Sequence, residues 1–112
     1  MQIIKLKEVP IAATPHKVAV KPLFSFEHAT IVHIELTPGE ALKPHITPVD
    51  VLFFGIEGQG EITIGEETQP LGANDLVFSP KKVVHWLRNP SPTPFRFLVI
   101  KVPKPTEETK IL

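Results

Sequence analysis

Thirteen prolines scattered through 112 residues exclude long helices from this chain, because each interior proline removes a backbone hydrogen bond and clashes with the preceding turn. Short strands are what remains. Apolar and polar residues alternate with a period of two in several stretches: Val32, Ile34 and Leu36 against His33 and Glu35, Ile62 and Ile64 against Glu61 and Thr63, and Val83, His85 and Leu87 against Val84, Trp86 and Arg88. Turn signals separate them at Thr37-Pro38-Gly39, Gly58-Gln59-Gly60, Gly72-Ala73-Asn74-Asp75 and Asn89-Pro90-Ser91-Pro92. Many short strands at this spacing predict an all-β chain, an antiparallel sandwich or barrel.

The length suits one domain with its own core and leaves no room for a second. Formal net charge is zero and the charged residues stand singly, so neither a nucleic-acid surface nor a membrane patch is expected. No apolar run approaches the roughly 20 residues of a membrane-spanning helix, and the stretch Met1 to Lys7 lacks the apolar segment of a secretion signal. A cytoplasmic location is the expectation. With no cysteine, disulfides, thiol catalysis and cysteine-bound zinc are all excluded, and any metal must use imidazole and oxygen.

Two histidines sit in matching frames of glycine, proline and apolar residues. The first frame runs Gly39-Glu40-Ala41-Leu42-Lys43-Pro44-His45, then Val51-Leu52-Phe53-Phe54 and Gly58; the second runs Asn74-Asp75-Leu76-Val77-Phe78-Ser79-Pro80, then His85 and Asn89. Residues 30 to 102 resemble the two signature motifs of the cupin family, in which three histidines and one glutamate hold a metal. Gly39, His45, Gly58, Pro80, His85 and Asn89 match at the family's spacing. Thr47 stands where the second histidine belongs, Val51 where the glutamate belongs, and Asn74 and Lys82 replace two glycines. The resemblance implies a jelly-roll barrel of two antiparallel sheets, commonly paired as a homodimer. It also implies that His45 and His85 are the ligands left for a divalent metal such as Fe, Mn, Ni or Zn. Residues 1–29 are read as N-terminal strands packing on the barrel or a partner, 30–102 as the barrel, and 103–112 as a polar, mobile tail.

Strand parity places His45, Thr47, Val49, Val51 and Phe53 on one inward face, and His85 inward with Val83 and Leu87. The two imidazoles are therefore expected to converge from separate sheets. Asp50, the nearest carboxylate, is turned away unless a bulge at Pro48 intervenes. The pocket expected from these residues comprises His45, Thr47, Val51, Phe53 and His85, and it holds a small organic molecule beside a degenerate metal site. The alternative that the resemblance implies is a metal-dependent isomerase, decarboxylase or oxygenase that uses His45 and His85. His16, His28 and His33 read as surface or interface residues. Trp86, Phe54 and Leu52 are assigned to a subunit interface, and Ile3, Ile4 and Leu6 to an added edge strand. Phe24, Phe26, Phe78, Phe95 and Phe97 are assigned mostly to the core, and Arg96 faces inward if Leu98 and Ile100 do, there to bind an anion or pair with a carboxylate such as Glu61.

Overall fold

The computed structural model describes residues 1–112 and contains ten strands in two five-stranded sheets. The first sheet orders β1 (Ala19–Phe26), β2 (Ala29–Leu36), β9 (Phe95–Val102), β4 (Asp50–Glu57) and β7 (Leu76–Ser79). The second orders β10 (Lys110–Ile111), β3 (His45–Ile46), β8 (His85–Arg88), β5 (Gln59–Ile64) and β6 (Glu67–Gly72). Every pairing is antiparallel. No helix is long and apolar enough to cross a membrane.

Proline placement explains the borders of the sheets. Only Pro22 and Pro70 fall inside strands, and those strands, β1 and β6, are edges of their sheets. There a missing N–H breaks no inner ladder. At Pro22 the ladder slips, with a register shift between Pro22 and Phe24.

The core lies between the sheets. Val20, Ile34, Leu36, Val51, Phe53, Phe95, Phe97 and Val99 come from the first sheet and Ile62, Leu71 and Leu87 from the second. The ends of the two histidine frames are stitched together: Gly39 N–H donates to the Asn89 carbonyl and Asn89 N–H to the Glu40 carbonyl, each at 2.9 Å. Asn89 is buried, and its side-chain amide donates to the carbonyls of Leu36 and Thr93 at 2.9 and 2.8 Å. Asn89 is thus a clamp holding three loop and strand ends. Asn74 and Lys82, which stand in place of two glycines, keep glycine's left-handed backbone, with φ of 71° and 63°.

Several expectations are corrected. Ile3 and Ile4 form no strand; the N-terminal segment makes a single 3-10 turn over Leu6–Glu8, and Ile3 is exposed. Of the five phenylalanines assigned to the core, Phe95 and Phe97 are buried, whereas Phe24, Phe26 and Phe78 are exposed on the outer face of the first sheet. In β9 the inward set is Phe95, Phe97 and Val99, so Arg96, Leu98 and Ile100 face outward. Arg96 Nε donates to Glu57 at 2.6 Å, while Glu61 pairs with Arg88. Trp86 belongs to the second sheet and Leu52 and Phe54 to the first, so the three cannot share one outer patch. The tail is not free either, because Ile111 pairs with His45 and Lys110 with Ile46.

Candidate functional site

The chain crosses from β3 to β4 through Thr47, Pro48 and Val49, and so passes from one sheet to the other. His45 and Val51 therefore belong to different sheets yet both point inward. His45, Thr47, Val51, Phe53 and His85 all line one cavity of about 470 Å³. Its floor is apolar, built from Val20, Val32, Ile34, Val51, Phe53 and Val99.

The two imidazoles meet as expected but come from one sheet: His45 and His85 are direct partners on β3 and β8. Their ring centres lie 4.5 Å apart at 71°. His85 is 1 % exposed, packs edge-on against Phe53, and has both nitrogens engaged. Nδ1 bonds the Ser79 hydroxyl at 2.7 Å and Nε2 the Thr47 hydroxyl at 3.1 Å. Burial, followed by the nearness of His45 and Lys101, lowers its pKa to about 3. His85 is a neutral ring held between two hydroxyls.

A third histidine joins them, contrary to the surface reading of His16. Its ring centre is 4.8 Å from that of His45, and burial, with His45 and lysine charges, lowers its pKa to about 4. The peptide of Lys43 fixes both rings in opposite senses. Lys43 N–H donates to His16 Nδ1 at 2.9 Å, so the neutral His16 carries its proton on Nε2. His45 Nδ1 donates to the Lys43 carbonyl at 2.7 Å, which leaves Nε2 of His45 as a bare acceptor. The pKa of His45 is also lowered, chiefly by burial.

The donor set can now be compared with the metal the resemblance implies. A bound Zn or Fe takes about three or more protein ligands. Here Thr47 and Val51 supply none of the usual kind, His85 has no open nitrogen, and the outward nitrogen of His16 bears hydrogen. Asp50 stays outside the cavity, its Oδ1 accepting the Lys81 N–H at 2.9 Å. Only His45 offers an open lone pair, and no group of three or more His, Asp or Glu side chains is arranged around a common point for an ion. These residues do not fit a resident metal.

The remaining histidines lie elsewhere. His28 is exposed beside Glu27 at 3.2 Å, in keeping with a surface reading. His33 is not solvated: it is 4 % exposed on the outer side of β2, with Arg96 Nη1 2.9 Å from its Nε2. It lines a second cavity of about 460 Å³ with Leu6, Ile11, Glu57 and Arg96. Burial, with Arg96 and Lys21, lowers its pKa to about 4.

Five polar residues of the barrel region escaped the sequence reading, Ser79, Lys101, Thr14, Glu108 and Thr109. Ser79 and Lys101 sit on strands whose parity could have shown them, since Ser79 pairs with Val51 and Lys101 shares the face of Phe95, Phe97 and Val99. Thr14, Glu108 and Thr109 lie in the terminal segments, where no period exists to place them.

Comparison with known proteins agrees with this architecture. Residues 32–101 match the family model described as Cupin domain. No curated protein matches the chain. Among solved structures, TT1209 from Thermus thermophilus is 32% identical with a TM-score of 0.80, covering 94% of this chain and 100% of its own. An RmlC-like cupin family protein with a double-stranded β-helix fold from Methanocaldococcus jannaschii is 25% identical, with a TM-score of 0.74 and coverage of 92% and 94%. The polyketide cyclase RemF from Streptomyces resistomycificus superposes with a TM-score of 0.85 at 16% identity, covering 100% of this chain and 85% of its own. At that identity the likeness is one of fold.

Proposed function

This chain belongs to the cupin family, and within that family we propose that it binds a small organic molecule in the barrel without a resident metal. The observation that carries this reading is His85, whose two nitrogens are satisfied by Thr47 and Ser79. An imidazole held on both sides by hydroxyls is a wall of a pocket. A metal ligand would need one of those nitrogens bare. The cavity of about 470 Å³ falls within the usual ligand-pocket range of about 300–1,000 Å³, and it combines an apolar floor with a few polar groups.

The same reading includes a second copy of the chain. Phe24, Ile31, Ile100, Leu52 and Phe78 are successive cross-strand partners, forming an apolar row over all five strands of the first sheet's outer face. Leu98, Phe54 and Leu76 form a shorter row beside it. Contiguous apolar patches of this kind mark interaction surfaces, and an outer sheet face packs naturally on its own copy about a two-fold axis.

The test is elemental analysis of protein purified without chelator. Less than about a tenth of an equivalent of Fe, Mn, Ni or Zn is the expected result. A stoichiometric content of any one of them overturns the metal-free reading.

A further inference from the structure

One inward side chain of the barrel has no counterpart in the two histidine motifs. Lys101 stands on β9 one step beyond Phe95, Phe97 and Val99 on the inner face, opposite Thr30 and Val51 on the neighbouring strands. It lines the cavity with His16, His45, His85, Thr14 and the apolar floor. The ion pairs of the fold are His28 with Glu27, Arg88 with Glu61 and Arg96 with Glu57, so Lys101 has no carboxylate partner. An unpaired ammonium in a mainly apolar cavity is costly and is retained at a site that uses it.

Two other groups of the cavity are donors without acceptors. The Thr14 hydroxyl oxygen is buried and makes no hydrogen bond, the one such side-chain atom in the chain. His16 presents Nε2–H, because its Nδ1 already accepts the Lys43 N–H. Lys101, Thr14 and His16 all line one cavity, over a floor of valine, isoleucine and phenylalanine. The opposing charge is Glu108, which is exposed in the C-terminal segment where solvent screens it.

From this placement we infer that the ligand is a small organic acid, its carboxylate received by Lys101 with His16 and Thr14 and its apolar body lying toward Val51, Phe53 and Val99. The acceptor Nε2 of His45 is left to take a hydroxyl or amide hydrogen of the ligand, so acids bearing such a group are preferred. Burial lowers the pKa of Lys101, and the exposed Glu108 does not offset it, as expected of a cation awaiting a partner. This inference rests on the metal-free pocket proposed above.

The test compares hexanoate and benzoate with hexanamide and benzamide, matched in shape but uncharged, by calorimetric titration at pH 7 in the presence of EDTA. The acids are expected to bind about ten-fold or more tightly than the amides, as befits a hydrogen bond to a charged group. Lys101→Met is expected to abolish that preference while leaving the thermal midpoint unchanged or higher, since a half-buried unpaired charge is removed. Thr14→Val should weaken the acids only and by less. Equal binding of acids and amides, or acid binding that survives Lys101→Met, overturns the carboxylate assignment and leaves the pocket standing. Failure of all four probes overturns it as well. Acid binding lost in EDTA and restored by a metal would sink the metal-free reading instead.

Discussion

At the scale of single residues, four histidines are kept neutral by burial, and this makes stability depend on pH in one direction. His85, with a pKa of about 3, and His16 and His33, each about 4, all lie below the ordinary 6.5, and His45 is lowered too. The unfolded chain therefore takes up protons near pH 6.5 that the folded chain refuses until more acid conditions. Their contribution is complete above about pH 6.5 and is lost as pH falls toward 4. The thermal midpoint is expected to fall steadily over that window. His16→Gln removes one of the groups, so its midpoint should fall less steeply; parallel curves for the two proteins would show that His16 is not buried as described. Much of this site was legible in the sequence. His45, Thr47, Val51, Phe53 and His85 converge as parity suggested, although a change of sheet falls between Thr47 and Val51. Lys101 obeys the same parity, but it was hidden because Leu98 and Ile100 looked as suited to the core as Phe97 and Val99.

At the scale of elements, the turns explain why the motifs tolerate their missing glycines. Lys82 holds φ at 63° before β8, a conformation that costs a side chain about 1 kcal/mol relative to glycine. Lys82→Gly is expected to stabilise the chain by about 0.5–1 kcal/mol in urea unfolding, whereas a loss of stability would mean that the lysine side chain contributes a contact of its own. Gly58 is different: at φ 84° an added Cβ would lie 2.1 Å from the Pro94 carbonyl, so no side chain can stand there. The terminal segments are where reading by period failed. Ile3 and Ile4 have a strand's composition, but the 3-10 turn at Leu6–Glu8 takes the chain elsewhere, and the tail is held by pairing with β3, with Ile111 lining the cavity. Neither outcome leaves a periodic trace.

At the scale of the whole molecule, the thirteen prolines and the spaced turns carried the architecture, and two edge strands absorb the only prolines within the sheets. What periodicity could not supply was the assignment of strands to sheets. His45 and His85 were expected from opposite sheets and are neighbours in one, because the crossover falls after His45 rather than before it. Trp86 was grouped with Leu52 and Phe54 for the same reason. The outer face of the first sheet gives this scale its own prediction. Phe78, 56% exposed in the chain by itself, lies in the apolar row, and Phe78→Asp is expected to halve the particle mass in light scattering without shifting the far-ultraviolet spectrum. An unchanged mass would place any partner on another surface.

The most direct measurement of the barrel's chemistry is long-range proton–nitrogen NMR of the imidazoles, recorded during a zinc titration of the wild type and of Thr47→His with Val51→Glu. In the wild type, His16 is expected to carry its proton on Nε2 and His45 on Nδ1, with the nitrogens of His85 unmoved by zinc. The double variant, with the ligand set of the family restored, should bind zinc saturably and move them. Wild-type His45 and His85 nitrogens shifting together at one equivalent of zinc would contradict a pocket whose second imidazole is already held by Thr47 and Ser79.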